Sequence, residues 1–192
     1  MLYDSFSYKQ VHLHDMLCNC CTKLLKLLLE KDEIPYVKVE MGSIIFDFSI
    51  DDKIIDAFLN RNNFKKIEDK NIILVQQIKT AVIELVHYAN NSNSIIRNSD
   101  YLVEKIGKSY QQLSNIFGEY ENQTLEKFII AHKIEKTKRL IILNELTLSE
   151  IAFQMGYSSV QYLSNQFKKT TGLTVSEFKK LKNPEIKALD EI

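Results

Sequence analysis

The chain has 192 residues, which is enough for one large domain or two small ones. Its 25 basic and 25 acidic residues cancel, so the overall charge gives no sign of a polyanionic partner. No apolar run approaches the roughly 20 residues that a membrane span needs, and residues 1–14 lack the apolar stretch of a secretory signal. We therefore expect a cytoplasmic protein without a membrane segment.

The first seventy residues alternate between strand-like and helix-like spacing of apolar side chains. The predicted elements are a strand over Phe6–His14, a helix over Cys18–Lys31, strands over Tyr36–Glu40 and Ser43–Phe48, a helix over Asp51–Asn62 and a strand over Lys65–Asp69. Leu24 and Ile54 are expected on the apolar faces of the two helices. This order is typical of a ferredoxin-like fold, with two helices on one face of a four-stranded antiparallel sheet. We predict such an α+β domain over residues 1–70.

A further helix is predicted over Asn71–Tyr88, followed by the polar run Asn90–Ser94. This run is the expected domain boundary, so residues 71–94 are a connecting helix and linker. Residues 95–183 are then an all-α domain, and residues 184–192 are a tail.

The second half is predicted to be helical almost throughout. The first expected helix follows a cap at Asn98 or Ser99 and runs to about Ile106, and the second follows Ser109 and runs to about Tyr120. A long helix starts at Thr124–Lys127 and runs to about Leu143. The remaining expected helices are Leu148–Met155, one from Ser158 or Ser159 to about Thr170, and Ser176–Lys182. Asn98 or Ser99, then Ser109, and then Ser158 or Ser159 can cap the helices that follow them, and Thr147 with Glu150 has the spacing of a capping box. Gly107, Gly156 and Gly172 can end helices.

An internal repeat of about fifty residues divides this domain. Tyr101–Gly107 aligns with Glu150–Gly156, and the segment Leu113–Phe117 aligns with Leu163–Phe167, where Leu, Ser, Asn and Phe match. The repeat predicts two helix-turn-helix units joined by a long helix.

The residues Leu148–Ala152, Gly156-Tyr157, Tyr162–Lys169 and Gly172–Thr174 resemble the signature of the AraC family of bacterial transcription regulators. The resemblance spans Asn98–Lys182 and implies a cytoplasmic regulator that binds specific double-stranded DNA without a required cofactor. One departure is Val175, where family members usually carry proline; we expect it to weaken the start of the last helix slightly.

Helical spacing assigns the DNA-facing side of each recognition helix. Leu163 and Phe167 must face the core, which leaves Gln161 and Asn165 on a shared outer face. Both amides can pair bidentately with adenine, and the resemblance implies base contacts at these positions. The expected DNA contacts are Ser109, Tyr110, Gln111, Ser114 and Asn115 in the first unit, and Ser158, Ser159, Val160, Gln161, Ser164, Asn165, Lys168 and Lys169 in the second.

The two units differ in charge. Residues 127–182 hold 10 basic and 4 acidic residues, whereas residues 91–126 hold 3 basic and 5 acidic residues. The second unit is therefore expected to supply more of the salt-dependent affinity, although basic residues on the linking helix, Lys133 among them, could compensate. The alternative interpretation is a helical packing module with a solvated basic face.

The N-terminal half contains the sequence Met16-x-Cys18-x-x-Cys21 between its first strand and first helix. This motif resembles the metal-binding loop of heavy-metal-associated domains, in which Cys18 and Cys21 could hold Cu(I) or Zn(II). His12, His14 and Cys20 are candidate extra ligands. An alternative function is thus metal sensing or metallochaperone-like binding, while the structural alternative makes these cysteines small, partly buried apolar residues.

Catalysis is not expected, because the chain has no glycine-rich phosphate loop and no nucleophile motif with a partner histidine. His87 and His132 lie at helical positions without neighbours in sequence that would give them a role. RNA polymerase and a second copy of the chain could be partners. RNA-binding or protein-binding helical modules are further alternatives.

Overall fold

The computed structural model describes residues 8–88 and 98–192. The chain separates into two compact units, Met1–Thr80 and Ala81–Ile192. The polar run Asn90–Ser94 that we predicted as the domain boundary lies outside the described residues, as does Phe6 at the start of the first predicted strand.

The first unit contains a four-stranded antiparallel sheet and two helices. Its elements are β1 Tyr8–Leu13, α1 Asn19–Lys31, β2 Lys38–Glu40, β3 Ser43–Asp47, α2 Asp52–Arg61 and β4 Lys66–Ile67. The strand order is β2-β3-β1-β4, and each neighbouring pair is antiparallel. Cys18 and Asp51 are the N-caps of α1 and α2, one residue before each helix begins.

One face of the sheet packs against both helices. Val11 of β1 lies opposite Ile44 of β3, which in turn pairs with Val39 of β2, and all three are buried in the same core. Leu25 and Leu29 of α1 and Ile55, Phe58 and Leu59 of α2 complete this core.

The predicted apolar faces of these two helices were wrong at one position each. Leu24 is 53% exposed and Ile54 is 52% exposed. In both cases the following residue, Leu25 or Ile55, is the one that is buried. A helix presents only a narrow stripe to a small sheet, so apolar residues at the margin of that stripe stay in solvent.

The turn between β2 and β3 requires a glycine. Gly42 has φ of +80°, a conformation that side chains disfavour. A Cβ atom there would also lie 3.3 Å from the Thr80 Oγ1. Met41-Gly42 thus forms the turn of a hairpin between the two antiparallel strands β2 and β3.

The connecting helix changes geometry before its end. We predicted one helix over Asn71–Tyr88, whereas α3 spans Lys70–Ile83 and continues as a π-helical turn over Glu84–Tyr88. A π-helical turn widens the backbone by one residue, a local change that apolar periodicity does not reveal.

From residue 98 to residue 179, the second unit consists mainly of helices. Its remaining helices are α4 Asn98–Ile106, α5 Tyr110–Tyr120, α6 Leu125–Leu143, α7 Leu148–Gln154, α8 Val160–Thr171 and α9 Val175–Lys179. The last helix was predicted at Ser176–Lys182; it begins at Val175 because the Thr174 side chain caps it. Within the described part of the chain, none of the helices has the length and hydropathy needed to cross a bilayer.

Candidate nucleic-acid interface

The first helix-turn-helix unit consists of α4, a turn at Gly107 and α5. Gly107 has φ of +74° and ends α4. The Ser109 Oγ accepts a hydrogen bond from the Gln112 backbone N–H at 3.4 Å, and the Gln112 Oε1 accepts one from the Ser109 N–H at 3.1 Å. This reciprocal capping box satisfies two backbone donors at the start of α5 and fixes where the helix begins.

The two sides of α5 differ sharply in burial. Leu113 and Phe117 are fully buried, whereas Gln111 and Asn115 are exposed. The Gln111 Nε2 donates a hydrogen bond to the Asn115 Oδ1 at 2.7 Å. The first unit therefore presents a pair of linked amides on its outer face.

The second helix-turn-helix unit repeats this design, with its capping box at the start of α7. In α7, the Glu150 carboxylate accepts hydrogen bonds from the backbone N–H and the hydroxyl of Thr147, both at 2.7 Å. These bonds lower the pKa of Glu150. Ser159 then caps α8 by accepting a hydrogen bond from the Tyr162 N–H at 3.1 Å. Of the two predicted caps, Ser159 is the N-cap residue, and Ser158 lies before it.

The outer face of α8 matches that of α5. Leu163 and Phe167 are fully buried, and Gln161 and Asn165 are exposed. The Gln161 Nε2 donates to the Asn165 Oδ1 at 2.9 Å. Each recognition helix thus carries the same amide pair in the same orientation.

Burial and ring contacts repeat at an interval of fifty residues. The interval relates Leu113 to Leu163 and Phe117 to Phe167, all fully buried. Phe117 packs on Phe128 with ring centroids 5.1 Å apart, and Phe167 packs on Phe178 at 5.4 Å. The turn differs in length, because the second N-cap follows its glycine by one more residue than the first.

Most of the predicted DNA contacts lie at the surface. The exposed ones are Ser109, Gln111, Asn115, Ser158, Ser159, Gln161, Asn165, Lys168 and Lys169, and the half-buried ones are Tyr110, Ser114, Val160 and Ser164. Val160 also packs against the hydrophobic core of the second unit. Its side chain is therefore less available to DNA than the polar residues beside it.

Comparisons with known proteins agree with this geometry. A family model described as a helix-turn-helix domain matches residues 102–181. The xylose operon regulatory protein of Escherichia coli K12 is 27% identical over 157 residues, covering 82% of this chain and 35% of that protein. Residues 102–181 form a helix-turn-helix domain of the kind found in DNA-binding transcription regulators.

Two further relatives were found. An HTH-type transcriptional regulator in the cgkA 5′ region of Pseudoalteromonas carrageenovora is 28% identical over 106 residues, covering 54% of this chain and 62% of that protein. The solved structure of the xylose-binding transcription activator xylR is 25% identical, covers 82% of this chain and 36% of that chain, and has a TM-score of 0.41. The chain spans about a third of the length of the xylose operon regulators that it matches.

The DNA-binding domain is unevenly charged along its two recognition helices. Lys168 and Lys169 are exposed in the last turn of α8, whereas the equivalent residues of α5 are Gly118 and Glu119. The linking helix adds Lys133, whose ammonium lies 5.5 Å from the ring centroid of Tyr157. Burial lowers the pKa of Lys133 and raises that of Tyr157 to about 12. Both residues line a cleft of about 460 Å³ between the two helix-turn-helix units of this domain.

Sequence reasoning missed a histidine pair in the compact unit Ala81–Ile192. The His87 Nε2 and the His132 Nδ1 lie 3.2 Å apart, and His132 is fully buried against Phe128. Burial and the neighbouring His132, Arg139 and Lys136 lower the pKa of His87 to about 3. The two histidines are 45 residues apart in sequence, so no local pattern could reveal the contact.

A buried ion pair on α6 was also missed. Glu135 is 5% exposed and accepts a hydrogen bond from the Lys138 Nζ at 2.6 Å. Its second carboxylate oxygen accepts a bond from the Lys187 backbone N–H at 3.2 Å, and the Arg139 Nη2 donates to the Lys187 carbonyl at 3.0 Å. The predicted tail therefore packs on the linking helix.

The cysteine motif lies in the N-terminal compact unit, Met1–Thr80, at the start of α1. The Sγ atoms of Cys18 and Cys21 are 2.8 Å apart, and the Cys18 Sγ accepts a hydrogen bond from the Cys21 N–H at 3.2 Å. Burial and the neighbouring Cys18 raise the pKa of Cys21 to about 11. Met16 is buried in the core, and Cys20 is exposed.

The predicted additional metal ligands do not complete a cluster. Among residues 8–88 and 98–192, no group of three or more His, Cys, Asp or Glu side chains is close enough to hold a metal ion. Within the described structure, the motif thus offers a pair of sulfur ligands.

Proposed function

We propose that this chain regulates transcription by binding two adjacent boxes of duplex DNA, one with α5 and one with α8. The observation that carries the proposal is the repeated amide pair, Gln111 with Asn115 and Gln161 with Asn165, on the exposed faces of two equivalent helices. Recognition helices of this class enter the major groove and present their N-terminal residues to base edges.

The amide pairs would supply base recognition. Gln and Asn side chains can each donate to adenine N7 and accept from its N6 amino group, which distinguishes adenine from the other bases. Ser109 and Ser159 lie at the helix starts, where hydroxyls and backbone N–H groups commonly hold phosphates. Tyr110, Ser114, Ser164 and Val160 would contribute from the half-buried margins of the same faces.

The second helix-turn-helix unit would hold the DNA backbone more strongly than the first helix-turn-helix unit. Lys168 and Lys169 place two exposed positive charges at the end of α8, and Glu119 places a negative charge at the corresponding end of α5. Each lysine–phosphate contact releases condensed counterions, so the salt dependence of binding should come mainly from α8.

Selection of duplex DNA from a random pool by the purified chain tests this proposal. We expect a motif with two boxes about one helical turn apart, because both recognition helices must reach major grooves on the same side of the duplex. Fluorescence anisotropy on the selected DNA, measured across a salt series, then gives affinity and its salt slope. Recovery of random sequences bound equally well would contradict base recognition by these helices.

The N-terminal compact unit, Met1–Thr80, supports a separate sensing or dimerising role. Its strand-helix-strand-strand-helix-strand order and its β2-β3-β1-β4 sheet support the ferredoxin-like assignment. We further propose that the chain acts in a bacterial cytoplasm. It would form a homodimer through a sheet edge of this unit and would contact RNA polymerase. An effector would act through this unit.

Binding of a soft metal ion is the second candidate function, because the Sγ atoms of Cys18 and Cys21 lie 2.8 Å apart. Cu(I) accepts two thiolate ligands and fits this pair. Zn(II) usually takes four protein ligands, so it would need ligands beyond the two sulfur atoms that the described residues bring together. The thiolates would bind the ion, and the first turn of α1 would hold Cys18 and Cys21 in position.

Titration of the reduced full-length chain with Cu(I), against a competing chromophoric ligand, tests this second candidate. We expect one equivalent to bind and the variants Cys18→Ser and Cys21→Ser to lose this binding. Cys20→Ser is the matched control and should bind as the parent chain does. Unchanged binding in the Cys18→Ser and Cys21→Ser variants would remove both residues from the proposed site.

A further inference from the structure

The start of α1 carries a cysteine pair whose arrangement has a second chemical consequence. We infer that Cys18 and Cys21 form a reversible dithiol–disulfide couple that exchanges with low-molecular-weight disulfides. This inference is independent of the DNA-binding proposal, and it makes the first unit a site of redox modification.

Proximity is the first argument. The two Sγ atoms lie 2.8 Å apart before any bond is formed. A disulfide has an S–S length of about 2.05 Å, so closure needs a relative displacement of less than about 1 Å. The Cys21 N–H holds the Cys18 Sγ over the first turn of α1 at 3.2 Å.

The backbone permits this closure without unwinding α1. Cys18 is the N-cap residue, with φ of −138° and ψ of 156°, and therefore lies outside the helix proper. Its side chain can rotate toward Cys21 while the hydrogen bonds within α1 stay intact. Cys21 lies in the first turn, where Leu25, one turn later, anchors the helix in the core.

Access is the second argument. Cys18 and Cys21 are only partly buried, so a small disulfide can reach the pair. Cys20 is exposed but lies one position before Cys21, about 100° around the helix axis. The chain thus contains an accessible thiol that should not join the couple and that serves as an internal control.

The exchange balances in two steps. Cys18, as its thiolate, attacks one sulfur of a disulfide RSSR, which forms a mixed disulfide and releases one RSH after the leaving thiolate takes up the proton. Cys21 then attacks the Cys18 sulfur, which releases the second RSH with the proton from the Cys21 thiol. The protein loses two electrons and two protons, and RSSR gains them.

Equilibration of the metal-free full-length chain in glutathione redox buffers tests the inference. After acid quenching, free thiols are alkylated, and the mass and peptide map are recorded. We expect two of the three thiols to be lost together, with a Cys18–Cys21 peptide cross-link, no retained glutathione at these two residues, and full reversal by excess reduced glutathione. Cys20→Ser should behave in the same way.

The single variants separate this result from random oxidation. Cys18→Ser and Cys21→Ser should lose the internal cross-link completely and accumulate a glutathione adduct on the remaining partner. Circular dichroism establishes that each variant is folded. The inference is overturned if Cys18 and Cys21 stay free at glutathione ratios that modify Cys20, or if the cross-link in the parent chain includes Cys20.

Discussion

Gln161 and Asn165 are joined by a hydrogen bond of 2.9 Å on the exposed face of α8, and fifty residues earlier Gln111 and Asn115 are joined in the same way at 2.7 Å. Each bond uses one amide donor and one amide acceptor, so the other polar atoms of the pair remain for a partner. The bond also restricts two flexible side chains before DNA is bound. Part of the entropy cost of recognition is therefore already met in the free protein.

The amide pair of α8 should control sequence preference. We expect Gln161→Ala with Asn165→Ala to weaken binding to the selected DNA by about 1 to 3 kcal/mol for each bidentate base pairing that the substitution removes. Binding to random duplex should change little, because it depends on phosphate contacts. Anisotropy titrations with both duplexes measure the two affinities.

The equivalent double substitution in the first unit is the matched comparison. Gln111→Ala with Asn115→Ala should lower specificity at the other DNA box, since α5 carries the same pair. Both pairs are exposed, so thermal unfolding should be unaffected in either variant. Equal weakening on selected and random DNA would contradict base reading by the amides.

The charge difference between the recognition helices should appear in the salt dependence of binding. Lys168→Gln with Lys169→Gln should make the negative slope of log K against log salt shallower, by about 0.9 for each phosphate that is no longer neutralised. Glu119→Lys, which gives α5 a lysine where α8 has Lys169, should raise affinity for random duplex. Lys31→Gln in α1 is a control with the same change of charge per residue. If it changes the slope as much as each α8 lysine does, the effect comes from net charge alone.

The sequence predicted the parts of this structure that local rules determine. The caps Ser109 and Thr147 were each identified at the residue before the helix begins, because capping depends on residues three positions apart. The burial of Leu163 and Phe167 followed from a spacing of four. The ferredoxin-like assignment of the first unit stays a prediction.

Contacts between distant residues could not be predicted in the same way. His87 meets His132 because the π-helical turn lies against α6, and Glu135 is buried because Lys187 returns to it from 52 residues away. The exposure of Leu24 and Ile54 could not be predicted either. Periodicity gives the direction of an apolar helix face, but it does not give how wide a part of that face is buried. Packing against a particular neighbour decides each of these cases.

The capping box of α7 should stabilise the second helix-turn-helix unit. Thr147→Ala removes the hydroxyl that accepts from the Glu150 N–H at 3.3 Å, and we expect it to lower the free energy of unfolding by about 1 kcal/mol. Thr147→Ser keeps the hydroxyl and should keep most of the stability. Urea unfolding followed by circular dichroism measures both variants, and equal midpoints for Ala and Ser would rule out the cap as the cause.

The buried ion pair on α6 should contribute more than an ordinary surface pair. Glu135→Ala leaves the Lys138 side chain, 12% exposed, without its carboxylate partner. It also removes the acceptor of the Lys187 N–H. We expect the free energy of unfolding to fall by about 3 kcal/mol, because a largely buried ammonium keeps only the Glu185 carbonyl, at 3.5 Å, in place of a carboxylate. Glu145→Ala, at an exposed position near the end of α6, is the control, and a similar shift in both urea midpoints would contradict the prediction.

The His87–His132 pair should make the stability of the C-terminal compact unit, Ala81–Ile192, depend on pH. The pKa of His87 is lowered from 6.5 in the unfolded chain to about 3 in the fold, chiefly by burial. Between these values the unfolded chain binds the proton more readily, so the stabilisation present above pH 6.5 is lost progressively as pH falls toward 3. The slope from one such group is at most about 1.4 kcal/mol per pH unit. Urea unfolding at several pH values should show a shallower slope in His87→Gln than in the parent chain, whereas His14→Gln, a substitution in the first unit, should keep the parent slope. If the parent chain and His87→Gln lose stability in parallel between pH 6.5 and pH 4, other groups carry the effect and His87 is protonated in the folded state.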